Sequence, residues 1–266
     1  MSGGETITLL LGLVVAGWTW TRWYVDLRRV ARLRRGAAHR LAPALAPLAA
    51  AAAVWLILRH WASFDVRDSS TYLFFYMVLG GAWVGMVARL GFPRLGVSAR
   101  DDALERANVP ASLAVGGAVL GTALCYAGAN IGDGPSFAVV VFCAGLSTTA
   151  FLLLWLLVEL AGRLSESLTV ERDPGAGWRA ACLFVALGAI LGRSVAGDWV
   201  SAEATVRDFA FHAWPAGALA VGAAALEAGL RPCIARARLP VFLSGLLPGA
   251  VFLGAGALLV LDRGPW

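Results

Sequence analysis

The sequence predicts an all-α fold: a polytopic membrane helix bundle of about eight transmembrane helices, built from parallel two-helix hairpin repeats. Three observations predict it. The first is composition: 59% of the 266 residues are hydrophobic, 15% are charged, and the mean hydropathy is +0.73. A water-soluble domain cannot cover its surface with so few charged groups. The second is the recurrence of apolar runs of about 20 residues, the length that crosses a hydrocarbon core of roughly 30 Å as a helix. The third is a repeated segment. Residues 105–134 open on a charged edge with Asn108 and Pro110, run through apolar residues carrying Gly117 and Gly121, and close on Gly132-Asp133-Gly134. Residues 171–198 open on Asp173-Pro174, carry Gly188 and Gly192, and close on Gly197-Asp198. The two glycine pairs match at an offset of 71.

In chain order, residues 6–25 form a first span, an uncleaved anchor with its N-terminus outside, because the positive charge lies after the apolar run. Trp18, Trp20 and Trp23 then lie near the inner interface, with Arg22 snorkelling. Residues 26–40 are a basic loop, either a positive-inside anchor or a patch for anionic lipid or an acidic partner. Span two covers about 41–58, with Pro43 and Pro47 in its first turns, and span three about 71–92. Ser98 and Asp101 have the spacing of a helix cap, which predicts a short helix over 99–107 with Asp102 and Arg106 as i,i+4 partners. Spans four to eight cover about 109–131, 136–160, 175–197, 209–229 and 240–261. Asn108 caps the fourth, and Pro240 and Pro248 open and break the eighth.

All 22 basic residues are arginine. Seventeen fall in or beside the loops after spans one, three, five and seven; Arg59, Arg67, Arg193, Arg207 and Arg263 lie on the other side. That bias places the basic loops in the cytoplasm and both termini outside. No basic surface on a soluble module is visible, so nucleic acid is not an expected partner. The expected partners are the lipid bilayer and other membrane proteins, in a homo- or hetero-oligomer.

The chain reads as one integral membrane domain of hairpins at 6–58, 71–131, 136–197 and 209–261, all in one orientation because each unit has an even number of spans. Over about 71–209 this pattern resembles the DUF350 (YjfL-like) family of small bacterial inner-membrane proteins. The residues that carry the resemblance are Glu105, Asn108, Ala111, Gly117, Gly121 and Gly134-Pro135, then Glu171, Gly188, Gly192, Gly197 and Asp198. The terminal span pairs depart from the family's four-span form, and Asp173-Pro174 replaces the Asn in the second copy. The resemblance implies a bacterial inner-membrane location and brings no activity with it.

Five GxxxG pairs are candidate packing sites: Gly81/Gly85, Gly117/Gly121, Gly128/Gly132, Gly188/Gly192 and Gly245/Gly249. Lipid tails are as apolar as leucine, so helices associate where small residues let backbones approach. Asn130, Asp133 and Asp198 gather at outer helix ends, as turn formers or as acidic mouths of a cation path, and Arg193 joins them as a candidate polar group. Arg193 either sits at a helix seam, paired with Asp198 or another carboxylate, or reaches outward to headgroups. Glu159 and Glu227 are expected to reach water at cytoplasmic helix ends. Cys125, Cys143, Cys182 and Cys233 lack CxxC spacing, the three histidines lack ligand spacing, and no catalytic motif is present, so no metal, cofactor or catalytic residue is assigned. Three functions fit: a scaffold or assembly subunit, a channel or carrier for a small ion or metabolite between the repeats, and an intramembrane lipid-modifying enzyme. The first is favoured, because packing signals are many and intramembrane charges few.

Overall fold

The computed structural model describes residues 2–33, 36–230 and 239–262. Eight long helices dominate the described residues: α1 Gly3–Leu33, then α2 Ala38–Trp61, α3 Ser70–Arg94, α4 Val109–Gly128, α5 Phe137–Gly162, α6 Pro174–Val195, α7 Ala202–Leu230 and α8 Phe242–Asp262. The seven helices α2–α8 are long and apolar enough to cross a membrane. The chain is a multi-pass membrane protein with an all-α bundle fold. Of the eight expected spans, α1 alone falls short of this criterion among the described residues. The apolar run of α1 is confined to its first half, and Trp18, Thr19, Trp20, Thr21 and Arg22 dilute the second. Geometrically α1 still lies antiparallel along α3: Gly12 faces Val78, and Gly81 and Gly85 face Trp20 and Thr19. Its buried stripe is Gly12, Thr19, Trp23, Asp26 and Val30, a helical spacing that includes one carboxylate.

The helices are arranged by burial. In α4 and α6, 78% and 72% of the spanning window is buried, against 28–39% in the other five spans, so these two form the centre. They run parallel and touch backbone to backbone. A Cβ on Gly117, Gly121 or Gly128 would overlap the backbone of Ala181, Phe184 or Gly192, and one on Gly188 or Gly192 would overlap that of Gly121 or Leu124. Gly245 of α8 meets the Gly175 backbone of α6 in the same way, and Gly249 meets the Cys182 side chain. Neighbours in sequence are not the main neighbours in space. α3 lies on α1, α4 on α2 and α6, α7 on α5 and then α6, and α8 on α6, while α7 and α8 hardly touch.

The glycine match at offset 71 does not describe this seam. Along it Gly117 faces Ala181 and Gly128 faces Gly192, a register of 64. The helix starts agree with that register: Asn108 Oδ1 accepts from the Ala111 amide, and Asp173 from the Gly175 and Ala176 amides, with a proline in each first turn. Gly188 therefore meets Gly121, not a position level with Gly117. The matched glycines lie roughly one to two helical turns apart in depth.

Short elements close the basic end. Val87–Gly91, Ala99–Glu105 and Phe242–Leu246 are π-helical, a wide turn that often marks functional places. The helix expected over 99–107 is the second of these. Ser98 Oγ caps it from the Asp101 amide, and Arg106 reaches Asp102 at 3.0 Å. α7 begins at Ala202, seven residues before the expected 209, because Ser201 Oγ accepts from the Ala204 amide and starts the helix early.

Three prolines inside helices, Pro43, Pro47 and Pro248, are tied to neighbours. Pro43 has no N–H to give the His39 carbonyl, and Ser112 Oγ of α4 donates to it at 2.6 Å. Pro47 likewise leaves the Pro43 carbonyl, which takes Trp23 Nε1 of α1 at 2.8 Å. Pro248 leaves the Ser244 carbonyl, which takes Arg179 Nη1 of α6. In hydrocarbon these carbonyls have no water to turn to, so protein donors are their available partners.

Candidate functional site

At the end that carries Asp133 and Asp198, three loops are knitted together. The Gly197 amide donates to the Ile131 carbonyl at 2.9 Å, the Trp199 amide to the Asp133 carbonyl at 2.8 Å, and the Asp133 amide to Asp198 Oδ1 at 2.8 Å. Ala62, after α2, bridges to Ile131 and Gly132. Gly132 has φ +102, and a Cβ there would overlap the Gly197 carbonyl, so this turn needs glycine twice over.

The candidate polar residues Asn130, Asp133, Arg193 and Asp198 are divided between two cavities. Asn130 and Asp133 line one of about 190 Å³, together with Glu5 and Asp65. Asn130 is 5% exposed; its Nδ2 donates to the Tyr126 carbonyl at 2.7 Å, and its buried Oδ1 has no hydrogen-bond partner among the described residues. Arg193 and Asp198 line the other, a half-open cleft of about 390 Å³ shared with Asp208 and His212. Below both cavities the α4–α6 seam is filled by backbone, so neither continues inward between these two helices.

At the opposite end lies a buried ion pair. Arg179, 2% exposed, clamps Glu227, 4% exposed, with Nε–Oε1 at 2.6 Å and Nη2–Oε2 at 2.7 Å. Nη1 donates to the Ser244 carbonyl, and Asp173 Oδ2 lies 3.5 Å from Nη2. The expectation that Glu227 reaches water is corrected: α7 turns it inward, and three helices meet on one guanidinium. Glu159 is half-buried and accepts from the Ser165 amide and hydroxyl at 2.7 and 2.6 Å. The sequence does hold a signal for the pair. Arg179 and Glu227 are each the lone charge among small apolar residues of a helix interior, and a charge so placed needs a partner.

Comparison with protein-family models, curated proteins and solved structures found no match.

A second polar site at this end has no counterpart among the sequence expectations. A pocket of about 190 Å³ between α1, α3 and the π-helical loop is lined by Trp20, Trp23, Asp26, Arg89, Arg100 and Asp101, among others. The indoles are fixed through their N–H groups, Trp20 to the Gly81 carbonyl at 2.9 Å and Trp23 to the Pro43 carbonyl at 2.8 Å. Arg100 donates to Glu105 at 2.9 Å, and its guanidinium pKa is pushed up first by that bond and then by the charge of Asp26. Cys125 and Cys143 are buried and Cys182 is half-buried; Cys233 lies outside the described residues.

Proposed function

We propose that the chain is a packing and assembly subunit of the bacterial inner membrane, joining a second copy of itself through α7. The observation that carries this reading is the outer face of α7. Ala218, Gly222, Ala225 and Gly229 recur there at helical spacing and are exposed, and a Cβ on Gly222 or Gly229 would meet nothing within 4 Å. The α4–α6 seam shows how parallel helices of this chain meet when both offer small residues. Two copies inserted in one orientation present α7 in parallel, the arrangement in which small-residue faces associate. The filled seam supports a structural role over a conduit between these helices.

Cysteine at position 222, in a background without the four native cysteines, is expected to cross-link to dimer mass in native membranes. Gly222→Leu with Gly229→Leu is expected to abolish the dimer while leaving folded monomer. A monomer alone in native membranes overturns the assembly reading; cross-linking to a different mass replaces the second copy with another membrane protein.

The inner-membrane location rests on the family resemblance, and the orientation on the arginine bias. With both termini outside, cysteine at 133 or 198 is expected to react with an impermeant maleimide in intact cells. Cysteine at 100 should react only after permeabilisation. The reverse pattern overturns the orientation. Position 236, on the same side as 100 by sequence, lies outside the described residues.

A further inference from the structure

The pocket between α1, α3 and the π-helical loop holds two opposite charges that the protein does not pair. Asp26 is 9% exposed, belongs to the buried stripe of α1, and makes no hydrogen bond or ion pair among the described residues. It feels the charge of Arg100 yet does not bridge to it. Arg89 projects from the π-helical turn of α3, half-buried, and stands over the Trp18 ring at 5.0 Å without a carboxylate partner among the described residues. A buried carboxylate is costly unless donors reach it. What remains exposed of Asp26 opens into a pocket walled by the rings of Trp20 and Trp23, whose own N–H groups are already used.

The charges select the ligand. A simple cation drawn to Asp26 and Asp101 would face Arg89 and Arg100, and a simple anion would face the two carboxylates. A zwitterion satisfies both sets. Aromatic faces favour an ammonium, and a primary ammonium brings the N–H donors that the buried Asp26 lacks. Arginine suits a phosphate. The pocket lies at the arginine-rich end of the bundle, and Trp18, beneath Arg89, is 48% exposed on the outer surface. Clefts of this kind between membrane helices take lipid headgroups.

We propose that this pocket binds the phosphoethanolamine group of a phospholipid, its ammonium on Asp26 beside the edge-to-face pair of Trp20 and Trp23 and its phosphate on Arg89 and Arg100. The test is titration calorimetry on the full-length protein in a neutral maltoside detergent, with dihexanoylphosphatidylethanolamine and dihexanoylphosphatidylglycerol as probes. The ethanolamine lipid is expected to bind more tightly by about tenfold, the worth of one charge-assisted hydrogen bond. In Asp26→Asn the two lipids should bind alike, and in Arg89→Gln both should weaken. Soluble O-phosphoethanolamine separates the sources: weaker binding than the lipid assigns a membrane lipid, and equal binding assigns the free headgroup. Equal binding of the two lipids by the native protein overturns the proposal, as does a preference that survives Asp26→Asn. Should Asp26→Asn fail to fold, the native preference and its loss of affinity in Arg89→Gln decide.

Discussion

Glu227→Ala is expected to unfold more of the bundle than any other single removal of a charge. It leaves Arg179, 2% exposed, without the carboxylate that it clamps through two bonds of 2.6 and 2.7 Å. Truncating one partner of such a buried pair costs about 3–5 kcal/mol, chiefly because the other charge stays buried and unmatched. Asp173 offsets only part of this, since it lies 3.5 Å from Nη2 and is already engaged by the amides of Gly175 and Ala176. The double variant Arg179→Leu/Glu227→Leu should recover much of the loss, because it removes both desolvated charges together. Arg106→Ala provides the contrast: that side chain is 58% exposed and its bond to Asp102 spans one turn, so its loss should cost about 0.5 kcal/mol or less. Denaturant unfolding of the purified protein in detergent reads all of these variants. A double variant as unstable as Glu227→Ala would show that the pair is not the source of the effect.

Gly121→Leu and Gly192→Leu are expected to be comparably severe by a different mechanism. A side chain at either position would have to displace backbone, at Phe184 and Leu124 respectively, where no rotamer change relieves the overlap. Overpacking costs about 1–3 kcal/mol when side chains can shift, so the loss here should reach or exceed the top of that range. Gly254→Leu is the neutral control, because a Cβ there meets nothing within 4 Å. Gly12→Leu should fall between, since Gly12 lies against the movable side chain of Val78 at 3.2 Å. The yield of folded, detergent-stable protein in size-exclusion chromatography measures the series. Equal yields for Gly121→Leu and Gly254→Leu would refute the seam as the stabilising contact.

The helices are legible in the sequence because a bilayer imposes a coarse rule, length and apolarity, that composition alone reveals. The starts of α4 and α6 are legible too, since a polar cap before a proline is a local signal and both Asn108 and Asp173 act on amides within three residues. The illegible part depends on which helix faces which. The match at offset 71 rests on identical letters, but depth is set by where each helix begins, and the caps fix a register near 64. The same limit hides the buried ion pair, whose partners are 48 residues apart on helices that could each have turned their charge outward. Asp26 is hidden because it opens a basic stretch, where an acidic residue looks like solvent-facing relief. Only the continuation of α1 to Leu33 places it on an interior stripe.

Three of the prolines inside helices, Pro43, Pro47 and Pro248, give the chain a kind of addressing. A proline is usually counted as damage to a helix, yet here each creates a donor deficit at a defined place, the carbonyl four residues earlier. His39, Pro43 and Ser244 are those places, and a serine, a tryptophan and an arginine from three other helices answer them. A bilayer supplies no competing donor, so the deficit is met by whichever neighbour is correctly placed, and that neighbour is thereby held in rotation and depth. The relation is conjugate. Restoring an N–H at position 248 would let α8 satisfy its own carbonyl and would loosen α6 from it, without touching a single contact residue. In this bundle, what a helix lacks determines where its neighbour must stand.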